Sequence, residues 1–456
     1  MSTAITPRHV AVIGAGAAGL VAARELRREG HGVVVFERGN QVGGTWVYTP
    51  DVESDPLGLD PTRTVVHSSL YDSLRTNLPR ECMGFGDYPF KKREGKGRDS
   101  RRFPSHREVF TYLQEFAADF EINELVRLET EVVFAGLVMV GEGGKWRIKS
   151  RPSNSDDREC VDEIYDAVVI CNGHYVQPRV AHIPGIDGWR GKQMHSHNYR
   201  TPEPFHNQVV VLIGGAASAV DISRDIATVA REVHIADRSI KEYKLGRVPG
   251  HDNMWLHSMI DSICESTVVF RDGKAIVADF IVHCTGYKYD FPFLETNGAV
   301  TVDDNRVGPL YQHVFPPELA PWLSFVGLPW KVVPFPMFER QSNWIAGTLS
   351  NRIALPSKEE MTEDIEAFYS SLEASGTPKH YTHKMSDDQW DYNNWISDQC
   401  GFPAIEEWRI QMYEATSKNR VLRPESYRDE WEDDDLVLQA QKDFANYLID
   451  KSGSLS

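Results

Sequence analysis

Two glycine-rich turns carry the residues best suited to chemistry. The first lies in His9–Trp46, HVAVIGAGAAGLVAARELRREGHGVVVFERGNQVGGTW. An apolar run from His9 to Ile13 ends in Gly14, Gly16 and Gly19. Leu20, Ala23 and Leu26 follow at helical spacing, and a second apolar run, Val33–Phe36, ends on Glu37. Strand, glycine turn, helix, strand and acid in that order can hold a dinucleotide. Gly14 permits the tight turn, Gly16 admits a pyrophosphate to the backbone, and Gly19 lets the helix close on the sheet. The helix start offers unpaired N–H groups and a positive dipole end to the phosphates. Glu37 follows Gly14 by 23 positions, close to the offset of about 20 at which an acid meets a ribose hydroxyl.

The second turn repeats the plan. Gln208–Ile213 runs into Gly214, Gly215, Ala216, Ala217, Ser218 and Ala219. Ile222, Ile226 and Val229 continue a helix, and strand Glu232–Ala236 ends on Asp237-Arg238, again 23 positions after Gly214. Ala219 stands where alanine is commonly allowed. Ala216 replaces the middle glycine and adds a methyl where backbone meets phosphate, so a looser fit is expected. Two copies far apart are a duplicated nucleotide site, not a solenoid. The simplest pairing is a flavin dinucleotide in the first and a nicotinamide dinucleotide in the second, with hydride passing between them.

What else the chain lacks narrows the chemistry. Its six cysteines (82, 160, 171, 264, 284 and 400) form no CxxC pair, so neither a redox disulfide nor a zinc ribbon is expected, and the thiols read as reduced. No Ser/His/Asp or paired-carboxylate pattern stands out. A monooxygenase needs neither, because it works through O2 in an apolar, water-poor pocket. His195 and His197 read as satisfied polar residues in a linker, with a metal site as the weaker alternative. The net charge of −17 disfavours nucleic acid and anionic membrane surfaces. With no run of about 18 apolar residues, no signal peptide and no lipidation box at Asp450–Ser456, a cytoplasmic protein with no membrane association is expected.

The elements that must position these turns are partly legible. At 456 residues two or three domains are expected. Thr49–Thr64 reads as a surface loop. Lys91–Arg102 holds seven Lys or Arg in twelve positions and reads as a solvated loop, with an anion site as the alternative. Ser105 and Glu108 predict a capping box for a helix carrying Val109, Phe110, Leu113 and Phe116. Val132–Val140 and Trp146–Ser150 predict a hairpin or meander. Ala167–Cys171, Ala278–Cys284 and Leu323–Gly327 predict strands, the first two ending in Gly exits. Pro329–Phe338 reads as a loop, Met361–Leu372 and Leu436–Leu448 as helices, and the acidic run Asp429–Asp435 as solvated surface.

A third segment, Trp189-Arg-Gly-Lys-Gln-Met-His195-Ser-His-Asn-Tyr199, lies between the two nucleotide units. It resembles the FxGxxxHxxx(Y/F) fingerprint of class B flavin-containing monooxygenases, with Trp189 in place of Phe. GGTW at Gly43–Trp46, LRTNLP at Leu74–Pro79, FPSHREV at Phe103–Val109 and TGY at Thr285–Tyr287 extend the resemblance over almost the whole chain. The run from Trp46 to Phe85 and FPMFERQSNW at Phe335–Trp344 are most similar to plant S-oxygenases. The animal members' hydrophobic C-terminal anchor has no counterpart.

The resemblance implies an α/β fold of two Rossmann-like domains, the NADP domain (173–285) inserted in an FAD domain formed by 1–172 and 286–456. It implies an enzyme using FAD, NADPH and O2 that converts a thioether to a sulfoxide through a C4a-hydroperoxyflavin. The thioether would be an S-alk(en)yl-cysteine such as S-allyl-L-cysteine, or a methylthioalkyl glucosinolate. It places FAD at Gly14, Gly16, Ala17, Ala18, Gly19, Glu37, Arg38, Gln41, Gly44, Thr45, Trp46, Thr76, Asn77, Leu78, Val133 and Gln341. NADPH falls at Tyr199, Gly214, Ala217, Ser218, Ala219, Arg238, Thr285 and Gly286. Asn77, from the TN motif, is the expected active-site polar group. Asp237 occupies an NAD-type position while Arg238 could clamp a 2′-phosphate, so discrimination against NADH is expected to be weaker than a cleanly basic site would give. An N-oxygenase or an auxin-type decarboxylating monooxygenase is the alternative of the same fold. A non-catalytic FAD-binding scaffold is the alternative of another class.

Overall fold

The computed structural model of the chain describes residues 6–63, 65–140, 143–153 and 159–453. The outermost residues read above for targeting signals, 1–5 and 454–456, lie outside the described residues. The chain divides into two units. The first comprises residues through Trp46, Arg75–Gly173 and those from Phe291 onward; the second comprises Val47–Leu74 and His174–Asp290. Val47–Leu74, expected in the first part, groups with the second unit because its carbonyls are tied there. Arg200 donates to those of Asp51 and Ser68, and Asn198 to those of Asp55 and Pro56.

In the first unit, β1 (His9–Ile13) has Val10, Ala11 and Val12 fully buried, as a central parallel strand requires. The chain turns into α1 (Ala17–Arg28), returns as β2 (Gly32–Phe36), and later forms α2 (His106–Asp119) and the edge strand β3 (Val126–Arg127). β2 and β3 pair in parallel. β4 (Thr130–Val140), β5 (Gly143–Pro152) and β6 (Val161–Tyr165) form an antiparallel meander, and β7 (Ala167–Ile170) returns beside β1.

α2 begins after Ser105 as expected, but without the capping box. The Ser105 side chain caps nothing. The Glu108 carboxylate is buried and accepts from Arg98 and from the Asp99 N–H instead. A charged pair out of water outweighs a cap hydrogen bond. The same pairing corrects the reading of 91–102 in its second half, while 92–97 are exposed loop as expected. Arg98 also meets Glu115, Arg101 meets Asp99 and Arg102 meets Asp433, so these cations are met by the chain's own carboxylates.

In the second unit, β8 (Lys192–His195) precedes β9 (Val209–Ile213), α3 (Ala217–Ala227), β10 (Glu232–Ala236), β11 (Gly246–Arg247), β12 (Met254–His257) and β13 (Phe280–His283). The sheet order is β11-β12-β10-β9-β13-β8. Every pairing is parallel except β11–β12.

The chain then completes the first unit. β14 (Leu294–Glu295) adds to β4, and β15 (Leu323–Phe325) pairs with β7, closing the order β15-β7-β1-β2-β3. α4 (Pro334–Leu349) packs along α1 and begins inside the stretch expected to be a loop. Pro334 and Pro336 fall in its first turn, where a missing N–H breaks no helical bond. α5 (Lys358–Ala374) carries the capping box that α2 lacks, between Ser357 and Glu360. α6 (Gln389–Cys400), α7 (Glu407–Leu422) and α8 (Asp434–Gly453) follow. The acidic run before α8 is not simply solvated. Asp433 is buried and accepts both Arg102 donors at 2.5 and 2.8 Å, and Asp429 pairs with Arg75.

Candidate cofactor sites

The first turn is built for close backbone approach. A Cβ on Gly19 would lie 1.8 Å from the Gly14 carbonyl oxygen, so only glycine lets α1 start there. Gly16 is the helix N-cap and offers no side-chain cap. The first-turn N–H groups therefore face outward for an anion. Gly43–Trp46 crosses this turn: the Gly43 N–H donates to the Ala15 carbonyl at 2.9 Å, and a Cβ on Gly44 would stand 2.6 Å from the Gly16 Cα. Glu37 closes the cradle at the end of β2. One carboxylate oxygen accepts from the Ala15 N–H at 2.8 Å and the other from the Gly39 N–H at 2.7 Å. This geometry brings Gly14, Gly16, Ala17, Ala18, Gly19, Glu37 and Gly44 together at one strand end, and it fits a dinucleotide pyrophosphate. Arg38, Gln41 and Thr45 are exposed beside it, and Trp46 is half-buried, edge-on to Phe335.

The loop Thr76–Leu78 is held firmly. The Thr76 hydroxyl donates to the Leu78 carbonyl, and its N–H to that of Pro104. Arg428 donates to the Thr76 carbonyl at 2.9 Å. Buried Arg80 donates to the carbonyls of Lys91, Asp99 and Arg101. Asn77 is thereby presented outward, exposed. Val133 is the extra residue of a bulge in β4 and has no partner residue across β5, which leaves its backbone available to a ligand. Gln341 is fully buried on α4. Its carbonyl oxygen accepts from the Gly327 N–H at 2.9 Å and its amide donates to the Tyr392 hydroxyl at 2.7 Å, so its side chain fixes the Gly327 turn.

The second turn repeats the first with a looser rim. Gly214 has φ of +114° and packs on the Cys284 carbonyl. Ala216 caps α3 without a side-chain bond, Ala217 and Ser218 are exposed, and Ala219 is buried. The Asp237 carboxylate turns back on its own chain, accepting from both the N–H and the hydroxyl of Ser239 at 2.5 Å, and lies against Gly215. Arg238 is exposed beside it. Thr285 donates to the Arg179 carbonyl, and Gly286 turns with φ of +80° at the exit of β13. Tyr199 is fully buried, and its hydroxyl donates to Asp225 of α3 at 2.6 Å. Its side chain supports the helix from within.

The linker histidines are held by hydrogen bonds, through both ring nitrogens of His195 and through Nε2 of His197. Buried His195 donates to the Gly286 carbonyl at 3.0 Å and accepts the His197 N–H at 3.1 Å. Burial, with His197 and His283 nearby, pushes its imidazole down to about 3, so it is neutral. His197 faces Glu53 at 2.6 Å. Sequence reasoning missed the supports: Arg80 and Arg428 for the Asn77 loop, Asp225 for Tyr199, and Glu53 for His197. The arginines flanking the LRTNLP segment were a signal for the first, but a partner 352 positions away leaves none in the sequence.

Comparison with known proteins decides what this pair of cradles belongs to. The family model for flavin-binding monooxygenase-like proteins matches residues 7–256 and 250–402. The chain belongs to this family. This flavin-binding monooxygenase is an enzyme that uses FAD and NADPH. It is 63% identical over 446 residues to the Arabidopsis thaliana flavin-containing monooxygenase FMO GS-OX-like 4, covering 97% of this chain and 98% of that one. It is 58% identical to FMO GS-OX5 of the same plant over 97% of this chain and 95% of the relative. Among solved structures it is similar to S-allyl-L-cysteine S-oxygenase from Allium sativum, with a TM-score of 0.93 and 60% identity over 97% of this chain and 100% of that one. It is also similar to Tmm from Pelagibacter, with a TM-score of 0.78 and 26% identity over 92% of this chain and 93% of that one.

Proposed function

We propose that this monooxygenase oxidises the sulfur of a small thioether, with FAD held on the first glycine turn and NADPH on the second. The substrate is an S-alk(en)yl-cysteine or a methylthioalkyl glucosinolate. The observation that carries this reading is the 60% identity over nearly the full chain to an enzyme named for S-allyl-L-cysteine S-oxygenation. The reaction balances as thioether, O2, NADPH and a proton giving sulfoxide, NADP+ and water. FAD, when bound, supplies the electron transfer and the activation of O2. The chain supplies binding and orientation. The N-termini of α1 and α3 take the pyrophosphates, and Glu37 sets a ribose. Asn77, held outward by Thr76 and Arg80, offers an amide donor to the reacting face. Sulfur is itself a nucleophile, so no general base is required.

The test is NADPH-dependent O2 uptake on a panel of thioethers, amines and keto acids, with products identified by mass and chirality. Sulfoxide formed in step with NADPH is expected. Turnover of amines or keto acids without thioethers, or NADPH oxidation indifferent to every substrate, overturns the reading.

A further inference from the structure

One buried acid lies outside both glycine turns and bears on the second. The Glu53 side chain is 1% exposed. One of its carboxylate oxygens accepts from His197 Nε2 at 2.6 Å and from the His67 N–H at 3.2 Å; the other lies 3.3 Å from Arg63. The Glu53 N–H donates to the Asn198 side-chain oxygen at 3.0 Å. With the Asn198 and Arg200 bonds described above, the strap Val47–Leu74 is stitched onto His195–Arg200.

That linker has two further arms. Through His195 it holds the Gly286 carbonyl, next to Thr285 at the end of β13. Through Tyr199 it holds Asp225 of α3, to which Ser73 of the strap also donates at 2.8 Å. One arm ends on the backbone of Gly286, at the exit of β13, and the other on a side chain of α3, the helix that the nucleotide turn opens. A carboxylate buried this deeply is costly unless it is paired. Burial alone would push Glu53 up, but His197 and Arg63 outweigh it and hold it below its ordinary value. The pairing therefore fixes His197, and His197 fixes the linker.

We propose that Glu53 is a positioning residue for the nicotinamide dinucleotide: by holding His197 it sets the linker whose arms place Gly286 and α3. The proposal rests on the reading that the second unit takes NADPH. It is tested in the full-length, FAD-loaded enzyme with Glu53→Ala, Glu53→Gln and, as a marker of that reading, Arg238→Ala.

Glu53→Ala is expected to raise KM for NADPH about tenfold, the worth of one charged hydrogen bond. Its kcat at saturating NADPH and its flavin content should stay within about twofold, since the loss is of uniform binding. Glu53→Gln keeps an acceptor for His197 and should recover most of that KM. An unchanged KM in Glu53→Ala, or a fall in kcat at constant KM, overturns the proposal. If Glu53→Ala does not fold, His197→Phe, which removes the other partner of the pair, decides: a KM for NADPH raised to a similar extent at unchanged kcat and flavin content supports the pair, and an unchanged KM overturns it. An unchanged KM in Arg238→Ala sinks the assignment of the second unit and the proposal with it. A raised KM there beside an unmoved Glu53→Ala sinks the proposal alone.

Discussion

At the scale of single residues, the two cradles present few side chains, and those few make sharp expectations. Asn77→Ala should retain FAD yet release reducing equivalents without product. The check is sulfoxide and hydrogen peroxide per NADPH consumed, and full sulfoxide yield would end the role given to Asn77. Arg238→Ala should raise KM for NADPH about tenfold while leaving that for NADH near its starting value, the worth of a charge-assisted phosphate contact. Equal effects on both cofactors would remove the clamp. Much of this scale was legible. Gly14, Gly19, Glu37 and Gly214 stand in the turns their types demand. Asp237 was legible in place but not in behaviour, because its bond to Ser239 depends on a backbone turn that composition does not specify. Tyr199 and Gln341, expected at the cofactor sites, bond their polar side-chain atoms within the protein. A motif records that a residue matters without recording which way its side chain points.

At the scale of elements, the strands and helices with clean period were readable, and the corrections share one cause. Val10–Ile13 and Val209–Ile213 are unbroken apolar runs that could pair only inside a sheet, and Glu232–Ala236 was readable from its place after the second turn and its helix. The α2 cap, the basic run 91–102 and the acidic run before α8 were each read without their charged partners, which lie ten positions before the cap residue Glu108 and, for Arg102 and Asp433, 331 positions apart. Arg98 takes Glu108 from its cap, and Asp433 takes Arg102. Two substitutions test the elements. Gly44→Ala puts a methyl 2.6 Å from the Gly16 Cα at a φ of +56°, so flavin bound per protein should fall, as read by absorbance; unchanged loading would remove the segment from the cradle. Tyr199→Phe removes the hydroxyl from Asp225 and should cost about 1–3 kcal/mol, seen as a lower melting temperature with FAD content preserved. A Tm equal to the parent's would deny Tyr199 its supporting role.

At the scale of the whole molecule, the duplicated turn in the sequence foretold two nucleotide units, and the family resemblance implied that one is inserted in the other. It did not foretell that Val47–Leu74 belongs with the second, since that grouping rests on side chains of Asn198 and Arg200 meeting carbonyls of the strap. The buried histidines give a pH prediction. Burial lowers the imidazoles of His195 to about 3 and of His257, His283 and His313 to about 4, from an ordinary 6.5. Groups lowered on folding bind protons more readily when unfolded. Their stabilising contribution is therefore complete above about pH 6.5 and is drawn down as pH falls towards 4. The first three lie in the second unit, which should fail first on acidification. Melting temperatures at pH 7 and pH 5 check this, and His283→Gln should flatten the difference; an equal slope in that variant would show that His283 plays no part in it.

The Arg428–Thr76 bond carries a consequence for how the enzyme comes into being. The loop that presents Asn77 is pinned by a residue 352 positions later, and the neighbouring Arg75 by Asp429. A ribosome has therefore produced the chain as far as Arg428 before that loop can settle. Newly made chains should acquire tight flavin retention only after Arg428 and Asp429 have emerged. A chain stopped after Leu422, the last residue of α7, would keep both glycine turns and still emerge with a slack loop and leaky oxygen chemistry.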